Sequence, residues 1–198
     1  MKKLPIVKFT INEDDINSGV DFVALVDDPA IKQNWMAFNS HKQLFQVTDE
    51  EKRIVTGPLM IADLPIYRKS DNPDMPEYYA VFDSETIYKI VQKFFKEKKN
   101  TSVNIMHQPD ARVDNVYMYE SFIINTERGI NTPKGFDVVA NGSWFGSFKI
   151  DNEDVWSEVK NGTFKGFSVE GFFEQTHQSS EEKMMAQIIN ILQLMEQK

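Results

Sequence analysis

Apolar and polar positions alternate with period two in two stretches of the chain, other short apolar runs have a β-type composition, and stretches of period 3.6 fall near the middle and toward the end. Val20-Asp21-Phe22-Val23-Ala24-Leu25-Val26 is a short β-type run, closed by the turn or helix-start signal Asp27-Asp28-Pro29. Residues 32–52 read as strands and loop. Ile54 to Ile61 reads as a strand, and Pro58, lacking an N–H, assigns it to an edge or a bulge. Residues 70–76 form a loop by composition, and Glu77 to Phe82 is a strand candidate. Thr101 to His107 alternates, with Val103, Ile105 and His107 on one face and Ser102, Asn104 and Met106 on the other. Asn115 to Ile124 alternates again, with Val116, Met118, Glu120, Phe122 and Ile124 on one side. The two runs are expected to form a hairpin or an adjacent pair. Gly142 to Ile150, carrying Trp144, Phe145 and Phe148, and Thr163 to Phe173 complete the strands.

Three segments have helical spacing. After Asp83 or Ser84 as cap, Ile87, Ile90, Val91, Phe94 and Phe95 form one apolar stripe, with Lys96, Lys98 and Lys99 at the negative end of the helix dipole and Asn100 closing it. A short helix from 151 to 160 uses Asp151 as cap, buries Val155, Trp156 and Val159, and leaves through Asn161-Gly162. In residues 181–197, Met184, Ile188, Ile191 and Met195 step by heptad-like intervals. This last helix either packs on its own domain or mediates self-association or a scaffold connection. Many short strands with few helices predict an α+β fold: a mostly antiparallel β-barrel over residues 1–178, flanked by helices, with an amphipathic C-terminal helix at 179–198.

Composition narrows the function classes. The 198 residues include 22 Lys and Arg against 30 Asp and Glu, a net charge of −8. With no basic block, nucleic acid is not the expected partner, because phosphate binding needs clustered cations. There is no cysteine, hence no disulfide, thiolate metal site or cysteine nucleophile. The three histidines, His41, His107 and His177, are not at metal-ligand spacing, so no metal is expected. No apolar run approaches the roughly 18 residues of a membrane span. Two lysines at the N-terminus without an apolar segment behind them do not make a secretory signal. No phosphate-binding or dinucleotide-binding loop occurs, and no cofactor is expected.

Polar residues that interrupt apolar faces point to the chemistry. His107 shares a face with Val103 and Ile105, Glu120 with Val116, Met118 and Phe122, and Ser168 sits between Gly166 and Gly171 in a phenylalanine-rich strand. Buried polar groups need partners, and a serine, a histidine and a carboxylate together can activate a hydroxyl. The same pattern also describes a structural histidine at a strand end, a close-packed serine and a solvent-facing glutamate.

Several segments, in this order, resemble the phage prohead (capsid-maturation) serine proteases, relatives of the herpesvirus assembly protease. They are Phe22-Val23-Ala24-Leu25-Val26-Asp27-Asp28-Pro29-Ala30-Ile31, Val55-Thr56-Gly57-Pro58-Leu59-Met60-Ile61 through Ile66-Tyr67-Arg68, Val103-Asn104-Ile105-Met106-His107, and Lys165-Gly166-Phe167-Ser168-Val169-Glu170-Gly171. The resemblance implies a herpesvirus-assembly-protease-like fold, with Ser168 as nucleophile and His107 as general base. It implies an endopeptidase that cuts scaffold and major capsid protein, and itself, inside the assembling prohead in the host cytoplasm, as a homo-oligomer. Relatives carry a third member, histidine or acidic, on a strand after the serine. Here Glu120, beside the His107 strand, is the first candidate. Glu170, on the same side of its strand as Ser168, is the second, and Glu174 and His177 follow further along. No arginine follows Ser168, the last being Arg128. Two readings from other classes stand beside this one: a non-catalytic capsid-assembly or scaffold protein that keeps the fold, and a carbohydrate- or tail-associated β-domain suggested only by the aromatic content.

Overall fold

A computed structural model of the chain describes residues 4–27, 45–69, 77–108 and 110–175. The strands are β1 (Ile6–Thr10), β2 (Gly19–Val26), β3 (Gln46–Asp49), β4 (Ile54–Met60), β5 (Ile66–Lys69), β6 (Glu77–Val81), β7 (Val103–Ile105), β8 (Val116–Ile123), β9 (Trp144–Ile150), β10 (Gly166–Phe172) and β11 (Glu174–Gln175). The 3.6-period segments within the described residues become α1 (Ser84–Lys96) and α2 (Glu153–Lys160). The expected C-terminal helix, the boundary at 178/179, His41 and His177 lie outside the described residues.

The strands assemble into three sheets, ordered β11–β1–β6–β5, β10–β2–β7 and β3–β4–β9–β8. The pairing is mostly antiparallel, with β1–β6 and β2–β7 parallel. The architecture is therefore α+β and sheet-rich, but the expected closed barrel is not found among the described residues. The reason is visible where β4 meets β10. β3 pairs with β4 only between Ile54 and Thr56. At Gly57 the flank of β4 is filled by rings: a Cβ there would lie 2.8 Å from Phe45 Cβ and 3.2 Å from Phe167 Cδ2. The Phe45 and Phe167 rings pack with centroids 5.2 Å apart, so β4 and β10 meet through side chains and not through a hydrogen-bonded ladder. Pro58 sits in an interior strand, not an edge, and is tolerated because the register slips between it and Met60.

One continuous segment joins two of the sheets. Residues 166–172 pair antiparallel with β2, and residues 174–175 pair antiparallel with β1. At the corner between them Phe173 packs edge-on against Phe82, with centroids 4.9 Å apart. Strands that change sheets at a bulge or bend make such corners.

The helices close the core. Asp83 caps α1 by accepting from the Thr86 N–H at 2.8 Å. Burial works to raise the Asp83 pKa, but the Thr86 hydrogen bonds and the nearby Lys8 and Lys89 charges outweigh it and hold the carboxyl below its usual range. Ile87, Ile90 and Phe94 are fully buried, and Phe94 meets Trp144 edge-on at 5.3 Å; Phe95, expected on the same stripe, is 39% exposed. The cap of α2 is Asn152, not Asp151, and it accepts from the Val155 N–H at 3.1 Å. Val155, Trp156 and Val159 are buried as their spacing predicts.

One local expectation fails, and one strand was not expected at all. β7 and β8 do not pair. β7 joins β2, β8 joins β9, and the far side of Asn104 is taken by an isolated bridge to Arg112. The left-handed residues Met106, His107 and Asn115 redirect the intervening chain, a conformation that side-chain alternation does not reveal. β1, only five residues long, has no distinctive pattern and was not expected; it is fixed by its two neighbours, β6 and β11.

Candidate functional site

The alternation of β10 decides where Ser168 points. Phe167 is 2% exposed and packs on Phe148 with centroids 4.5 Å apart, which commits it and Val169 to the core side. Ser168 and Glu170 are therefore held on the opposite face. In register, Ser168 stands beside Ala24 and Glu170 beside Phe22. A register shift between Glu170 and Gly171 follows immediately, where a Cβ on Gly171 would fall 1.8 Å from the Gly19 carbonyl oxygen. Only glycine lets the two backbones approach so closely.

His107 reaches the same face by breaking its own pattern. A regular strand would put it with Val103 and Ile105, toward the core. Instead Met106 and His107 both take left-handed conformations, with φ of 51° and 59°. Met106 N–H donates to Leu25 O at 3.1 Å and Gln108 N–H to Ile105 O at 3.0 Å, which fixes the turn. Left-handed non-glycine residues cost of order 1–3 kcal/mol each and cluster at functional sites. The result is that His107 Nδ1 lies 3.0 Å from Glu170 Oε1. The ring is half exposed, while Oε1 is cut off from water. Oε1 nonetheless has no formed hydrogen bond, so the pair meets as a close contact. With a carboxylate against Nδ1, Nε2 is the nitrogen left for proton transfer.

Ser168 is 7% exposed, and no hydrogen bond joins its hydroxyl to the imidazole among the described residues. Catalytic hydrogen bonds are often loose in a resting site and tighten on substrate.

Glu120, the first candidate for the third member, does not join this group. β8 slips register between Met118 and Glu120. Met118 stays in the core beside Phe148, and Glu120 is turned to the other face beside Ser147. There its Oε2 accepts from Ser147 Oγ at 2.6 Å. Ser147 is 2.9 Å from Thr56 Oγ1, and Thr56 is 3.1 Å from Thr48 Oγ1, a chain of hydroxyls across the sheet. The glutamate expected on an apolar face is satisfied by hydroxyls, and the bulge that put it there leaves no trace in the alternation. Glu174 lies in β11, opposite Thr10.

Two residues that chemistry-based reading of the sequence did not single out share the face of Ser168. Asn104 flanks Ala24 on the side away from Ser168, giving a row Ser168, Ala24, Asn104 across three strands. Arg112 bridges to Asn104; its guanidinium lies 5.8 Å from the Phe22 ring centroid and 3.4 Å from Ser102 Oγ. The signal for Asn104 was its position two residues from Ser102 on the polar face of the β7 run. Arg112 had none.

A cavity of about 280 Å³ adjoins Ser168. Residues of both faces of β10 line it, so it runs along the strand's outer edge, and Phe9, Phe82, Phe173, Ile66 and Arg68 form the facing wall. β10 is an edge strand of its sheet. Burial lowers the Arg68 pKa, although an arginine remains charged at any working pH. Among the described residues no group of three or more His, Asp or Glu side chains is placed to hold a metal ion.

Serine, imidazole and carboxylate gathered on one sheet face beside an apolar groove are the groups used by serine hydrolases. The comparison with protein families agrees in class. The model of the family described as "Putative phage serine protease XkdF" matches residues 41–177, and the chain belongs to that family. No curated protein and no solved structure matches it.

Proposed function

We propose that the chain is a serine endopeptidase of phage head maturation, with Ser168 as nucleophile, His107 as general base and Glu170 as the group that orients the imidazole. The observation that carries this reading is the His107–Glu170 contact on the face Ser168 occupies. His107 Nε2 takes the Ser168 proton as Oγ attacks a peptide carbonyl. The imidazolium, held by Glu170, then protonates the leaving amine, and water releases the acyl group by the reverse route. An extended substrate segment lies along the part of β10 that lines the cavity, beyond its contact with β4, with a side chain in the cavity, which supports recognition at a sheet edge. From the sequence resemblance we take the substrates to be scaffold and major capsid protein, together with the chain itself. The setting is a homo-oligomer inside the prohead in the host cytoplasm, and the fold is a relative of the herpesvirus assembly protease.

A serine-directed fluorophosphonate tests the nucleophile. Labelling of the full chain, both free and in assembled proheads, is expected to map by peptide mass to Ser168. Label absent from Ser168 in both preparations overturns the assignment. That outcome would favour a non-catalytic assembly protein, a reading supported by the lack of a hydrogen bond between Ser168 and the ring. A second test separates the two glutamates. Glu170→Gln is expected to slow cleavage roughly 10²- to 10⁴-fold by disturbing the imidazole's orientation and tautomer. Glu120→Gln should leave the rate within about twofold, since its partner is Ser147 in another sheet. Equal losses from both would refute the assignment of Glu170.

A further inference from the structure

Asn104 is fully buried, yet neither its amide nitrogen nor its amide oxygen has a hydrogen-bond partner. Burying an unsatisfied amide is unfavourable, and a leucine of similar size would fill the position without that penalty. One other buried side-chain atom shares this condition and this face: Glu170 Oε1, an acceptor. A donor without an acceptor and an acceptor without a donor thus flank the same patch of sheet.

The register sets the approach. Asn104 lies beside Ala24 on β2, Ser168 lies on the other side of Ala24, and Glu170 follows two residues along β10. Two strand spacings, about 10 Å, separate the backbones of β7 and β10. Glu170 stands in the neighbouring row, beside Phe22, so the long glutamate and the asparagine lean toward each other diagonally across the Ala24 methyl. The bulge after Glu170 loosens its aim further along the same face. Asn104 also stands three residues before His107, at the base of the left-handed turn that delivers the ring.

We propose that Asn104 is a positioning residue of this site, whose Nδ2 donates to Glu170 Oε1 when the site is in its working arrangement. The carboxylate so held presents its remaining lone pairs squarely to His107 Nδ1–H, completing a hydrogen bond that the present 3.0 Å contact does not form. Nε2 is then aimed at Ser168. The inference rests on the reading of Ser168, His107 and Glu170 given above, and it explains why a polar residue is kept where an apolar one would pack at lower cost.

The test uses the full chain and does not depend on activity alone. The side-chain NH₂ resonances of Asn104, assigned through its own Cβ and Cγ, are expected to move on Glu170→Ala and to stay in place on Glu120→Ala. In turnover assays Asn104→Leu is expected to lower kcat roughly ten- to a hundredfold with KM within about twofold, the scale of a misplaced catalytic group. Its melting temperature should be equal to or above that of the parent, whereas an amide kept only for structure would lose stability. Asn104 resonances indifferent to Glu170→Ala overturn the proposal whether or not the chain is a protease, and so does a wild-type kcat for Asn104→Leu. If the resonances move while Ser168→Ala cleaves normally, the pairing stands and the protease reading falls.

Discussion

Ser168→Ala should reduce peptide-bond cleavage by the proposed protease roughly 10³- to 10⁶-fold while leaving the fold intact. The size of the loss follows from the role: without Oγ there is no acyl intermediate, and only binding and electrostatic stabilisation of a water attack remain. The small effect on stability follows from the surroundings. Ser168 is 7% exposed and its hydroxyl makes no hydrogen bond among the described residues, so its removal orphans no partner. The backbone of β10 is held through its pairing with β2 and through Phe167 in the core, neither of which the substitution touches. A change within about 1 kcal/mol is expected. Time courses of substrate cleavage, read by mass spectrometry beside thermal unfolding of the same preparations, check both halves. Cleavage at the parent rate would remove Ser168 from the chemistry. Lost cleavage with a collapsed melting temperature would show that the serine serves packing.

How far the sequence carried this site depends on which physical rule governed each residue. Ser168 and Glu170 were legible because β10 is a regular strand as far as Glu170, and period-two alternation beside a buried Phe167 forces them to one side. His107 was identified for its chemistry but placed on the wrong face, since two left-handed residues reverse the alternation there. Glu120 failed by the same kind of irregularity, a register slip that turned it away from the core and toward Ser147. The starts of the two described helices were read to within a residue or two because caps and a 3.6 period are local signals, but α1 ends at Lys96, short of the expected exit at Asn100, since Lys98 turns left-handed. The barrel was not, because closure depends on whether β4 and β10 meet by ladder or by side chains. Gly57, Phe45 and Phe167 settle that from distant parts of the chain.

Gly171→Ala should be severely damaging. The added Cβ would sit 1.8 Å from the Gly19 carbonyl oxygen, 2.7 Å from its carbon and 2.8 Å from Val20 Cα. All three are backbone atoms of β2, so no side-chain rotation relieves the overlap and the two strands must part. Parting them at the bulge removes the pairing of Gly171 with Val20 and of Phe172 with Gly19. It also pulls on the corner that carries the chain to β11. A cost above about 4 kcal/mol is expected, a large fraction of the 5–15 kcal/mol by which domains are commonly stable. Gly162→Ala is the control: its φ of 74° also favours glycine, but nothing lies within 4 Å of the added carbon. The expected cost there is about 1 kcal/mol, from backbone conformation alone. Denaturant unfolding of the two variants should therefore separate steric exclusion from dihedral preference. Since Glu170 adjoins the slip, any Gly171→Ala protein that does fold should also lose the His107–Glu170 contact and with it cleavage. A melting temperature for Gly171→Ala within about 2 °C of the parent, the shift that at most about 1 kcal/mol produces in a chain of this length, would refute the close approach of β2 and β10 on which the aim of Glu170 depends.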